Sequence, residues 1–212
     1  MTMKKRFLIA VLLLGPPAVL VAPQPSAAQQ PKMDIKLFLG VGSTTFVSML
    51  ETGRETETSG NYQIGFGPRI RRRKAFIEIL FSFNRWIFVE NDVESMAKIT
   101  GRVNSFELPF NMGYIPYKNS LFKLFLYAGY VNHFNTKVLA ALEVPGEPNV
   151  NLKLKPKEVD LAIYQAIARF GVNFDVAMFN FDFNYSISLN SARTTSYRTS
   201  YHQFQLNLAY LF

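Results

Sequence analysis

The sequence predicts an all-β fold: an eight-stranded antiparallel up-and-down transmembrane β-barrel, preceded by a cleaved signal peptide. Three observations carry this. Eight stretches alternate apolar and polar residues, and each is long enough to cross a bilayer as a tilted strand, which takes ~9–11 residues. The connections between them are alternately long and short. The last stretch sets Phe204, Leu206, Leu208, Tyr210 and Phe212 against Gln203, Gln205, Asn207 and Ala209, so it ends on an aromatic of a fully apolar face. Taken alone, that stretch also suits the terminal strand of a soluble sandwich, but a soluble domain rarely leaves so apolar an end to fray in water.

The chain begins with a basic segment, Met1 to Arg6, followed by an apolar run from Phe7 to Ala22 that Gly15-Pro16-Pro17 interrupts. Ser26-Ala27-Ala28 then supplies the small residues that a signal peptidase reads. Residues 1–28 are therefore expected to be a signal peptide cut after Ala28, and residues 29–212 the outer-membrane β-barrel domain. The run is too short and too broken for a membrane anchor. No cysteine occurs anywhere, which excludes a lipoprotein, a disulfide framework, a zinc–thiolate site and a thiol nucleophile. Of the formal charge of +8, Lys4, Lys5 and Arg6 of the leader contribute three, and the modest remainder does not indicate nucleic acid.

In the first strand Ile35, Leu37, Leu39 and Val41 alternate with Lys36, Phe38, Gly40 and Gly42. The second sets Tyr62, Ile64 and Phe66 against Gln63, Gly65 and Gly67; the third sets Ile77, Ile79, Phe81 and Phe83 against Glu78, Leu80, Ser82 and Asn84. In the fourth, Phe106, Leu108, Phe110, Met112 and Tyr114 oppose Ser105, Glu107, Pro109, Asn111 and Gly113. The fifth alternates Phe122, Leu124, Leu126, Ala128 and Tyr130 with Lys123, Phe125, Tyr127, Gly129 and Val131. The sixth is the least regular, with Tyr164, Phe170 and Val172 opposite Gln165, Arg169 and Asn173. The seventh is the clearest: Phe179, Phe181, Phe183, Tyr185 and Ile187 against Asn180, Asp182, Asn184 and Ser186.

The long connections are Ser43 to Gly60, Asn91 to Gly101, Asn135 to Lys157 and Ser191 to Arg198. The short ones fall around Arg71–Lys74, Pro116–Ser120 and Asp175–Val176. Short periplasmic turns and longer extracellular loops are the pattern of outer-membrane barrels, whose outward face is apolar and whose interior is polar. Closure also leaves no unpaired strand edge in hydrocarbon.

With these residues the mature chain resembles the small eight-stranded outer-membrane barrels called "porin family" or PorT-like, related in shape to OmpX and the OmpA barrel. Phe106-Glu107-Leu108-Pro109-Phe110, Tyr127-Ala128-Gly129-Tyr130 and the terminal aromatic carry the resemblance. The ending is similar to the signal read by the barrel-assembly machinery, with Gln205, Tyr210 and Phe212 in place, although Asn207 stands where the family has Gly. The resemblance implies the outer membrane of a Gram-negative bacterium. It does not fix an activity.

The inward set is expected to form a polar network of Lys36, Glu78, Glu107, Lys123, Tyr127, Arg169 and Asp182 that plugs the lumen. Lys36, Glu78, Lys123, Arg169 and Asp182 fall at similar depth, with Asn111, Gln165 and Asn180 as further partners. His133 and His202 read as rim histidines. The barrel-shaped lipid A deacylase has a His-x-Ser pair, whereas His133 is followed by Phe134-Asn135 and His202 by Gln203-Phe204, so an enzyme is not expected. Arg69, Arg71, Arg72, Arg73 and Lys74 read as a solvated turn. Lys153, Lys155, Lys157, Arg193 and Arg198 are candidate contacts for anionic lipid. Loop one, with Glu51, Glu55 and Glu57, has no metal spacing, and no cofactor is expected.

The function that follows is a structural or interaction protein with a plugged lumen, serving envelope integrity, loop-mediated binding or docking to an outer-membrane assembly. Narrow solute channel is the alternative, and lipid-modifying enzyme a distant third. The expected partners are phospholipid and lipopolysaccharide, the barrel-assembly machinery during insertion, and a protein of an outer-membrane complex, with no nucleic acid.

Overall fold

In the computed structural model, described over residues 31–50, 53–91, 98–143, 150–194 and 198–212, the strands are long because β-branched and aromatic residues recur at every second position. They are β1 (Lys32–Leu50), β2 (Gly53–Arg72), β3 (Ala75–Ile79), β4 (Phe81–Asn91), β5 (Lys98–Lys118), β6 (Phe122–Glu143), β7 (Val150–Leu154), β8 (Tyr164–Val176), β9 (Phe179–Ser188) and β10 (Thr199–Leu211). A short 3-10 turn, Pro156–Val159, follows β7. The expected signal peptide and its cleavage point lie outside the described residues.

Every pairing between the strands is antiparallel, and β1 pairs with both β2 and β10. The sheet therefore closes on itself. β3 and β4 are two halves of one stave, since both lie between β2 and β5. The break at Leu80 has a chemical cause. Leu80 donates its N–H to the Pro109 carbonyl at 2.9 Å, but Pro109 has no N–H with which to answer. β7 pairs only with β6, as an added strand beyond the barrel wall. What remains is a cycle of eight staves. Among the described residues no helix is long and apolar enough to cross a membrane.

The two faces separate as the alternation predicts. Leu39, Phe66, Phe81, Met112, Phe170 and Leu208 are each about half or more exposed on the outer surface. Lys36, Gln63, Glu78, Glu107, Arg169 and Gln205 are buried inside. A ring of large apolar side chains outside and of ions and amides inside is the arrangement that hydrocarbon selects, the reverse of a soluble barrel.

The connections differ from expectation where strands outlast their lipid-facing part. Ser43 to Gly60, read as a loop, continues the ladder of β1 and β2 to Leu50 opposite Gly53. Its outward residues, Thr45 and Thr58, hydrogen-bond across the strands at 3.1 Å; they favour strand without being lipid-apolar, so the periodicity of grease stops before the strand does. Most of Asn135 to Lys157 is likewise β6 and β7. The turn expected at Asp175–Val176 is made by Ala177 and Met178, with Ala177 at φ 54; Asp175 and Val176 still pair with Lys123 and Phe122. At the turn between β5 and β6, Asn119 accepts the backbone N–H of Leu121 and Phe122 through its side-chain oxygen, at 2.9 and 2.6 Å.

Candidate functional site

Inward side chains from all eight staves converge in the lumen and sort into two groups. The first lies toward the short turns. Arg69 donates through Nε to Glu78 at 2.6 Å and through Nη1 to Asp175 at 2.8 Å, with its guanidinium 4.6 Å from the centre of the Phe125 ring. Lys36 stands 3.6 Å from Glu78 and 3.5 Å from Asp182. Tyr127 donates its hydroxyl to Asp182 at 2.7 Å, Asn111 its amide to Glu78 at 3.2 Å, and Asn180 its amide to Asp175 at 2.8 Å. These ions have little contact with water, so each needs the geometry it has.

The second group is centred on Glu107. Arg169 donates to it through Nη2 at 2.8 Å, Asn84 at 3.0 Å, and His133 faces it through Nδ1 at 3.1 Å. Arg169 also donates to Ser186 at 3.0 Å. Amides extend the first group: Gln63 donates to Gln205 and Asn207, and Asn207 in turn to Asp182 at 3.3 Å.

All seven expected network residues point inward, but not as one set. Arg169 pairs with Glu107 rather than with Lys36, Glu78 or Asp182. Lys123 is at the mouth, partly exposed and 4.0 Å from Asp175. Gln165 is buried, as expected of an inward residue. Four positions were misread. Arg71, assigned to the solvated turn, is in β2 with its side chain largely buried and donates to Asp34 at 2.7 Å. Arg69 is not a turn residue: it is fully buried. The alternation Gln63, Gly65, Gly67 continued through Pro68 would have put it inside. Asp175 follows from Arg169, Gly171 and Asn173 in the same way. His133, expected at the rim, is buried because it is in phase with Tyr127, Gly129 and Val131. His202 does sit part-exposed, 2.6 Å from the Tyr185 hydroxyl.

Beyond the second group, toward the long hairpins, the interior turns apolar. Phe46 packs against Trp86 and Tyr201, ring centres 4.9 and 5.5 Å apart, over Val103, Val131 and Ile167. This is a second closure, made of rings. It forms one side of a cavity of about 550 Å³. Val138, Ala140 and Leu142 of β6 with Leu152 and Leu154 of β7 line it, opposite Ser48, Glu55, Thr56 and Glu57 of the first hairpin. Arg193 reaches in to Glu57 at 2.7 Å, so this expected lipid contact is engaged by a carboxylate instead.

Outside, Phe83, Phe106, Phe134 and Tyr164 are cross-strand neighbours in one row around β4, β5, β6 and β8. The next outward positions toward the long hairpins carry Arg85, Asn104 and Lys137, then Arg102, Leu139 and Lys153. Arg85 lies 5.8 Å from the centres of both Tyr62 and Phe83 and donates to Asn104 at 2.6 Å. Lys153 is thus on the outer wall; Lys155, Lys157 and Arg198 are exposed in the connections. Of the expected assembly residues, Gln205 is buried in the lumen, while Tyr210 and Phe212 pack ring to ring at 4.8 Å on the outside. Among the described residues no group of three or more His, Asp or Glu side chains could hold a metal ion.

No family model matches the chain, and no curated protein matches it. Solved structures with a similar fold include Neisserial surface protein A, 10% identical with 87% of this chain and 100% of that one covered at a TM-score of 0.46. Ail, the attachment invasion locus protein of Yersinia pestis, is 12% identical over 84% of this chain and 98% of its own, at 0.45. The N-terminal β-barrel domain of Pseudomonas aeruginosa OprF is 10% identical over 86% and 100%, at 0.42. At such identities the likeness is one of fold. The eight-stave barrel stands on this chain's own strand pairing.

Proposed function

We propose that this chain is an integral outer-membrane barrel with a plugged lumen, exported from a Gram-negative cytoplasm by a cleaved signal peptide, and that it works by structure and binding rather than by catalysis or conduction. The supporting observation is the double filling of its interior, ion pairs around Arg69 and Glu107 followed by the rings of Phe46, Trp86 and Tyr201. An eight-stranded barrel is just wide enough for its side chains to fill. Both histidines are occupied, His133 by Glu107 and His202 by Tyr185, in keeping with a non-catalytic role.

Binding then belongs to the outer wall and the long hairpins. The cations Arg85, Arg102, Lys137 and Lys153 follow directly on the aromatic row, at the height where headgroup phosphates of phospholipid or lipopolysaccharide would stand, and charge-assisted contacts would hold them. Tyr210 and Phe212, with Gln205, serve the barrel-assembly machinery, and the hairpins face a protein of an outer-membrane complex. In this respect the chain resembles the porin family in shape more than in the sense of the word. Liposome swelling tests the reading: vesicles holding the refolded chain should exclude small sugars, and uptake at the rate of an open pore would favour a channel.

A further inference from the structure

The cavity beyond the ring plug is chemically one-sided. Its β6–β7 side offers only methyl-bearing groups, among them Leu142, Leu152 and Leu154, and Leu152 is 44% exposed. Water against such a wall is unfavourable, and an apolar body laid along it would release that water. The facing side is acidic. Of its two carboxylates, Glu57 is held by Arg193, whereas Glu55 makes no ion pair among the described residues. The cavity, about 550 Å³, lies within the ~300–1,000 Å³ usual for small-molecule sites.

From this juxtaposition we propose that the cavity is a binding site for a lipophilic cation, an elongated apolar molecule with an ammonium end. The alkyl part lies on Leu142, Leu152 and Leu154, and the ammonium meets Glu55. An apolar carboxylate would find Arg193, the one cation lining the cavity among the described residues, already taken by Glu57 and would face a second carboxylate. The site is independent of whether the lumen below it conducts, because the ring plug separates the two.

Trp86, the single tryptophan of the chain, lines this cavity and reports on it directly. The experiment uses the full barrel refolded in phosphatidylcholine vesicles, titrated with a bromododecyl ammonium, the matching carboxylate and the matching alcohol, with bromine as contact quencher. Quenching by the ammonium should saturate, and at about tenfold or more lower concentration than for the carboxylate. Glu55→Gln should bring the ammonium to the level of the alcohol. Glu55→Gln with Glu57→Gln, which leaves Arg193 unopposed, should reverse the order in favour of the carboxylate. Leu152→Arg should remove saturable quenching by the ammonium while heat-modifiable mobility shows the barrel folded. Non-saturating quenching equal for all three probes, or tightest binding of the carboxylate to the wild type, would overturn the proposal.

Discussion

The ring of Tyr127 lies directly across Gly171: a Cβ added to Gly171 would sit 2.3 Å from the ring's Cζ. The two residues are cross-strand partners on β6 and β8, and the absence of a side chain at Gly171 is what lets Tyr127 reach Asp182 with its hydroxyl at 2.7 Å. Gly65 makes the same room for Phe38, whose Cζ would stand 2.4 Å from an added Cβ. Aromatics laid over inward glycines thus shape the lumen network.

Gly171→Ala should therefore displace Tyr127 and cost about 1–3 kcal/mol by overpacking. Tyr127→Phe, which keeps the ring and loses the hydrogen bond, should cost about 1 kcal/mol, plus the penalty of leaving Asp182 short of a donor. Urea titrations in lipid vesicles measure both. Strict additivity of Gly171→Ala and Tyr127→Ala would show that the two do not meet.

Arg69 is the keystone of the inner ion group, since it bridges Glu78 and Asp175 and stands closer to each than any other cation. Arg69→Met should destabilise the barrel by about 3–5 kcal/mol, because it takes the closest cation from two buried carboxylates and leaves Glu78 to Lys36 and Asp175 to the more distant Arg71 and Lys123. Arg72→Met, three residues on and exposed, should stay within about 0.5 kcal/mol. Equal effects would return Arg69 to the solvated turn.

The contrast between those two arginines shows what sequence periodicity can and cannot tell. The outward residues named from the alternation, such as Leu39, Phe66, Phe81, Met112, Phe170 and Leu208, were legible because hydrocarbon demands grease at every second position, whereas Ile70 and Val176 were missed next to the expected turns. The same parity held for Lys36, Glu78, Glu107 and Asp182. It failed for Arg69 and His133 only because a dense basic run and a strand end suggested that the alternation had stopped. The continuation of β1, β2, β6 and β7 past the belt was less legible, since above the hydrocarbon a strand is free to carry Thr, Glu or Lys outward. The ring plug and the cavity needed the fold. Phe46, Trp86 and Tyr201 are far apart in sequence and meet only when the barrel closes.

At the seam, Tyr210 packs on Phe212 and on Phe179, ring centres 4.8 and 5.8 Å apart, and the Phe212 N–H donates to the Ile35 carbonyl at 3.0 Å. Phe212 deletion, or Tyr210→Ala with Phe212→Ala, should leave protease-sensitive chain in the periplasm. Fractionation with heat-modifiability gels reads the outcome, and a normal yield of folded barrel from the double variant would rule out an assembly role.

The outer cations make a separate prediction. Barrels extracted from vesicles of phosphatidylcholine mixed with a bis-phosphorylated glycolipid should retain the glycolipid in excess of its mole fraction. Changing Arg85, Arg102, Lys137 and Lys153 together to Gln should remove the excess, whereas Lys155→Gln with Lys157→Gln should not. Loss of retention only in the second variant would move the contact to the connection.

Single-channel recording in planar bilayers puts the plugged lumen to the most direct test. The wild-type barrel should insert without steady conductance. Because the rings of Phe46, Trp86 and Tyr201 form a second closure, breaking the ion network by Arg169→Ala should not suffice for leakage, which should require Arg169→Ala together with Phe46→Ala and Trp86→Ala. Steady ohmic steps from the wild-type barrel would contradict the account and make this chain a channel.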